Sequence, residues 1–183
     1  WETLADGGAG AEALQVARLL ERRQPLAPLQ ALYRTALQAA SDAALTSLLH
    51  QELQRWHYQL FHGQSEAANY GDQLLYVAAA AALLGEEALA LACLERIDQA
   101  PKAWSRLLAH PEQRAQLAVA LAHTNPNPLT TQLLTSAIRR FDEAGAQLLY
   151  AVTTRLTQAV TEHRATPVQA RLLVQCIDAV RHT

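Results

Sequence analysis

Residues 72–98 read DQLLYVAAAAALLGEEALALACLERID, and this stretch decides the fold. It is two helices folded against each other about Gly85. The first has almost no polar face, and five successive alanines, Ala78 to Ala82, leave its backbone open to close approach. The second opens on Glu86 and Glu87, which suit the positive end of a helix, and then turns apolar at helical spacing. The continuous apolar run from Leu74 to Leu84 is eleven residues long. A membrane span needs roughly twenty, so the run is a core helix.

The same composition extends along the whole chain. Thirty-two leucines stand against eight valines and three isoleucines. Leucine and alanine lose little freedom in a helix, whereas β-branched residues fit strands. No segment alternates with period two between hairpin turns. The expected class is all-α, with about ten helices in antiparallel pairs, as a helical-repeat (α-solenoid-like) array or an irregular bundle. At 183 residues a chain buries roughly 70% of its unfolded surface without a metal or disulfide staple. Residues 1–10, with Gly7, Gly8 and Gly10, are expected to be a flexible lead-in. Residues 11–183 are expected to be a single all-α domain.

Breakers and caps set the helices. Pro25 and Pro28 end a first helix (about Ala11 to Arg23), and Pro28 suits the first turn of the next. That second helix carries Leu29, Leu32, Tyr33, Ala36, Leu37 and Ala40 at i, i+3, i+4, i+7, i+8 and i+11. Ser41 and Asp42 cap a long third helix from about Ala43 to Phe61, closed by Gly63. Asp72 caps the fourth. Trp104, Leu107 and Leu108 lie in a short segment after Pro101, and Pro111 opens a helix to about His123. Thr124-Asn125-Pro126-Asn127 is the strongest breaker, and Asn127 followed by Pro128 is a cap with a first-turn proline. A helix with Leu129, Leu133, Ala137, Ile138 and Phe141 follows, ended by Gly145. The next is long, with Leu148, Leu149, Val152, Leu156, Ala159, Val160 and His163 on one stripe. Thr166-Pro167-Val168-Gln169 then caps a last helix with Leu172, Cys176 and Val180.

Charge and motifs narrow the function classes. A net charge of −2 creates no field that draws the chain to nucleic acid or acidic membranes. The arginine pairs Arg22-Arg23 and Arg139-Arg140 read as solvated helix faces, the second offset by Asp142 and Glu143. Lys102 is the only lysine beside fourteen arginines, which hints at a GC-rich bacterial gene. The chain has no methionine and opens WETLADGGAG, without a basic n-region or apolar h-region. It is expected to be cytoplasmic, and either a fragment of a longer protein or a processed product. Cys93 and Cys176 sit among apolar helical residues and read as small buried hydrophobes.

Dinucleotide, P-loop, zincin, nucleophile-elbow and C-x-x-C signatures are absent, and no cofactor or metal ligand set is expected. His50 and His57 are two turns apart, roughly 10 Å, too far for one metal ion. His57 and His62 also fit badly. Residues 55–62, RWHYQLFH, hold three of the ten aromatic residues. Trp56 and Leu60 continue the stripe of Leu45, Leu49 and Leu53, while Tyr58, Phe61 and His62 fall mainly on another face. The plainer reading is a helix packed on two sides. The functional reading is an aromatic patch for a protein partner, which makes Trp56, Tyr58, Phe61 and His62 the candidate partner-binding residues.

Residues 72–101 resemble a tetratricopeptide-type helix pair. From the turn glycine Gly85, the small residue expected five positions on is Ala90, and the large apolar one after it is Leu94. Upstream, Leu74 and Val77 stand at large apolar positions and Ala78 at a small one. Ala81 replaces a usual aromatic, Ile97 replaces a usual alanine, and Pro101 falls one residue early. No second copy at a period of about 34 residues is evident. The resemblance implies a superhelical scaffold with a concave protein- or peptide-binding surface.

The expected function is therefore a non-enzymatic protein–protein interaction or scaffold module, part of a larger bacterial regulatory or assembly protein. Its partner is a protein or peptide, and exposed leucines leave room for a homo-oligomer. One alternative is an all-α small-ligand sensor or dimerisation domain, with space for a small molecule around Ala78 to Ala82. Another is a helix-bundle enzyme whose histidine and carboxylate site no motif reveals.

Overall fold

A computed structural model describes residues 1–39, 42–62, 70–99, 110–124, 142–162, 165 and 167–181. Among these residues there are nine α-helices and no strand. They are α1 (Glu2–Asp6), α2 (Gly10–Leu20), α3 (Ala27–Gln38), α4 (Ala43–His62), α5 (Tyr70–Leu83), α6 (Glu87–Asp98), α7 (Pro111–His123), α8 (Asp142–Thr161) and α9 (Pro167–Arg181). The fold is all-α. Among the described residues no helix is long and apolar enough to cross a membrane.

The centre of the fold is α5. Every residue from Gln73 to Ala82 is buried. A helix that is apolar all round can be stable only when other elements cover every side. Four helices do so here, because α3, α4, α6 and α7 all pack on α5. The alanines make this feasible, since a methyl side chain lets neighbouring backbones approach closely. The row α3–α5–α7–α8 runs in chain order, each helix packed on the next; α2 lies on α3, α6 on α5 and α9 on α8.

The α5–α6 turn follows the expected glycine stop. Gly85 has φ +78°, the left-handed region open to glycine without steric cost. The Glu86 N–H donates back to the Ala81 carbonyl at 2.9 Å, a 6→1 bond that satisfies one of the last carbonyls of α5. In α6, Leu89, Ala90, Cys93, Leu94 and Ile97 then face inward. Asp42 caps α4: its Oδ1 accepts from the N–H groups of Ala44 at 2.9 Å and Leu45 at 3.1 Å. Pro28, Pro111 and Pro167 each sit in the first turn of a helix, where their missing N–H costs nothing.

Several expectations are corrected. The first ten residues, expected as a flexible lead-in, are partly helical. They carry α1, with Ala5 fully buried and Trp1 packed against the core. The Arg34 guanidinium lies 5.4 Å above the Trp1 ring and 3.5 Å from Asp6. Gly10 is buried because Thr35 of α3 crosses over it, leaving no room for a Cβ. The glycine that suggested disorder thus marks a close approach. The fourth predicted helix begins at Tyr70, so Asp72 lies within its first turn. Gly145 lies inside α8 rather than between two helices. On α8, Leu148, Val152 and Leu156 are buried, but Val160 is exposed near the helix end. The predicted segment at Trp104 to Leu108, the helix from Leu129 to Phe141, and the caps at Gly63 and Thr166 lie outside the described residues.

Two substitutions test this architecture. Ala80→Leu forces three extra carbons into a fully enclosed position and should cost about 2–3 kcal/mol, a fall in Tm of about 5–10 °C for a chain of this size. Gly85→Ala meets no neighbour within 4 Å. It should cost only the left-handed backbone penalty of about 1 kcal/mol. Thermal and urea unfolding read both, and an unchanged Tm for Ala80→Leu contradicts the enclosed α5.

Candidate functional site

The unusual residue of the core is a charge. On α4, Leu49, Leu53, Trp56 and Leu60 form the buried stripe, and Glu52 falls inside the same stripe. It is 2% exposed. A carboxylate taken from water is strongly penalised unless a cation replaces its hydration. Arg18 of α2 forms an ion pair with Glu52 Oε1. Arg55, one turn along α4, places Nη1 3.7 Å from Glu52 Oε2. The same guanidinium donates from Nη2 to Glu21 Oε2 at 2.7 Å. It also lies 5.7 Å from the centre of the Trp56 ring, within cation–π range. The four charges therefore pin the C-terminal half of α2 to the middle of α4.

An open cleft of about 580 Å³ adjoins this network. Arg18, Glu21, Arg22 and Pro25 line one side, Trp56, Gln59 and Leu60 of α4 another, and Gln73 of α5 completes it. Trp56 is 4% exposed, and its indole Nε1 has no hydrogen-bond partner. A buried donor left in that state costs about 1–3 kcal/mol. A second opening of about 550 Å³ lies between the ends of α3, α5, α7 and α8, with Leu37, Leu84 and Arg155 in its lining. Among the described residues, none of the buried polar atoms without a partner lines that one.

The four residues predicted to bind a partner do not share one surface. Trp56 faces inward, contributing its ring to the core and an edge to the 580 Å³ cleft. Tyr58 is 69% exposed, and His62 is exposed beside it with ring centres 5.4 Å apart. Phe61 is half-buried under the Arg96 guanidinium at 4.6 Å, with the His57 ring edge-on at 5.0 Å. Arg96 also donates to the Tyr70 hydroxyl at 3.0 Å, and that hydroxyl donates to the Leu60 carbonyl at 3.1 Å. Phe61 is thus part of a clamp joining α4 to α5 and α6. Only Tyr58 and His62 are offered outward.

His50 Nδ1 lies 2.9 Å from Glu86 Oε1, tying α4 to the α5–α6 turn. Among the described residues no three of His, Cys, Asp and Glu come together as metal ligands would. Cys93 and Cys176 are buried free thiols. Burial pushes the Cys93 thiol up to about 12, against a smaller opposite pull from Arg96, and burial raises Cys176 as well. Neither supplies a thiolate nucleophile at neutral pH.

The sequence reading missed Glu52, Arg18, Arg55 and Glu21. The signal was present in the phase of Glu52, three residues after Leu49 and four before Trp56, on the apolar stripe itself.

Breaking the network should be asymmetric. Arg18→Met leaves the buried carboxylate with only the longer contact to Arg55 and should cost about 3 kcal/mol. Glu52→Gln removes the buried charge, leaves Arg55 on Glu21 and frees the part-exposed Arg18 to water, so its cost should stay below about 1.5 kcal/mol. Equal losses in urea unfolding contradict this ordering. Cys93 should resist thiol reagents at pH 8 until the protein unfolds, because its thiolate fraction there is on the order of one in ten thousand. Its contribution to stability is complete below about pH 9, the ordinary value of a thiol. It is lost as the pH rises towards 12, and Cys93→Ala should flatten that alkaline slope.

No protein-family model matches this chain, and no curated protein or solved structure is detectably similar to it.

Proposed function

We propose that this chain is a non-enzymatic protein- or peptide-binding module of the helical-repeat type, serving a larger bacterial assembly or regulatory protein. The observation that supports the reading is the row α3–α5–α7–α8, in which each helix packs on the next, with α5 buried from Gln73 to Ala82. Stacked helix pairs gain stability from their neighbours and leave an extended outer surface for partners. The tetratricopeptide-like positions are compatible with that use. Val77, Ala78, Ala90 and Leu94 are all buried between packed helices.

Partner contact is assigned to the outward part of α4. Tyr58 and His62 stand exposed on a helix whose other faces are fixed by the core and by the Phe61–Arg96–Tyr70 clamp. An exposed tyrosine on a rigid support can anchor a partner at low entropic cost, with losses of 2 kcal/mol or more on truncation, roughly thirtyfold in affinity.

The test is affinity capture from the source cell with the chain and with Tyr58→Ala/His62→Ala. A protein should be recovered in stoichiometric amount with the first. It should be lost with the second, while both keep the same helical circular dichroism and Tm. Equal recovery with both forms removes the α4 assignment. A co-purifying small molecule with no protein, seen by native mass spectrometry, overturns the scaffold reading.

A further inference from the structure

We propose that two copies of this chain pair through α9, antiparallel about a twofold axis, along an apolar stripe that the fold leaves uncovered.

Helix α9 carries two stripes. The inner one is used by the fold. Cys176 is buried, Leu173 packs against the core, and the Gln169 side-chain amide donates to the Ala122 carbonyl of α7 at 2.8 Å. The outer one is Ala170, Val174 and Ile177, at i, i+4 and i+7. That spacing puts three residues on one helix face, here about 100° around the axis from the inner stripe. Val174 is 57% exposed, Ile177 is 37% exposed, and Ala170 is half-buried. Single exposed apolar residues are ordinary. Two β-branched residues in register with an alanine form a seam of the kind that pairs helices.

The occupant follows from charge. Arg171 is exposed and makes no ion pair with a described residue. Asp178 follows it by seven residues, two turns along α9, so the two hold the same register position beside the stripe. With Val174 as position a of a heptad and Ile177 as position d, Arg171 and Asp178 both fall at e. When two copies lie antiparallel, Val174 of each meets Ile177 of the other. The e positions of the two helices then flank the seam on the same side. Arg171 of each copy faces Asp178 of the other, which gives two opposite-charge pairs related by the axis. In a parallel pair e faces g instead. The g positions are Leu173 and Val180, and no charge answers Arg171 there. The stripe is therefore complementary to itself in the antiparallel orientation, as an isologous interface requires.

One pair of 15-residue helices buries less than the roughly 1,200 Å² of a standard interface, so the dimer is weak and concentration-dependent. The α4 surface at Tyr58 and His62 takes no part in it, and the inference stands apart from the partner reading.

Sedimentation velocity of the whole chain from about 5 to about 500 µM should show monomer passing to dimer, with Kd of about 10–300 µM. Val174→Glu changes an exposed position, so helical circular dichroism and Tm should hold while the dimer weakens about tenfold or more. Arg171→Asp sets like charges across both contacts and should weaken it about tenfold. Arg171→Asp/Asp178→Arg exchanges the charges, re-forms both pairs and should return Kd to within about threefold of the original. The exchange also agrees better with the helix dipole, so loss of helix does not imitate the result. Tyr58→Ala/His62→Ala should leave self-association unchanged.

A chain that stays monomeric at about 500 µM overturns the inference and leaves the stripe to a different protein. So does a Val174→Glu variant that dimerises as well as the unaltered chain, or an exchange variant that does not recover what Arg171→Asp loses. Loss of the dimer with Tyr58→Ala/His62→Ala overturns it too, by moving the contact to α4.

Discussion

The structure depends on the burial of α5 on all sides. A helix with no polar face is unacceptable at a surface, so its presence obliges the chain to supply neighbours around it. Here α3, α4, α6 and α7 do this. Because Ala78, Ala79, Ala80 and Ala81 are fully buried, the fit is between backbones and short side chains. Such packing leaves little scope for rotamer adjustment, since Ala has none to change. The positions of α4 and α6, and with them the clamp at Phe61 and the cleft at Trp56, follow from how they close on this one helix.

The second constraint is the buried charge on α4. A buried ion pair adds little net stability compared with a well-packed apolar substitute, but breaking it is expensive. Its physical consequence is registry. Sliding α2 by one turn along α4 would separate Arg18 from Glu52 and leave the carboxylate unpaired in the core. The network therefore favours the observed α2–α4 alignment.

Legibility in the sequence followed the strength of local signals. The α5–α6 pair, its glycine turn and the Asp42 cap were readable because each rests on one short rule: apolar content, left-handed backbone, or a side-chain acceptor before a helix. Helix α1 was not legible because glycines at 7, 8 and 10 signal a loop by composition, whereas Gly10 answers to Thr35, a residue 25 positions away. Gly145 was misread for a related reason: glycine weakens a helix by about 1 kcal/mol without having to end it. Of the candidate site, the exposure of Tyr58 was legible from helical phase, and the inward turn of Trp56 from the Leu49–Leu53 stripe. The Arg18–Glu52–Arg55–Glu21 network was not, because pairing across 34 residues is set by how helices cross and leaves no local pattern.

The claim that α5 is the element on which the others depend is tested most directly by native-state hydrogen exchange. The amides of residues 74–82 should exchange only through global unfolding, with an opening free energy equal to that from urea denaturation, and more slowly than those of α1 or α9. Exchange of α5 by local opening, at a free energy well below the global value, would contradict it.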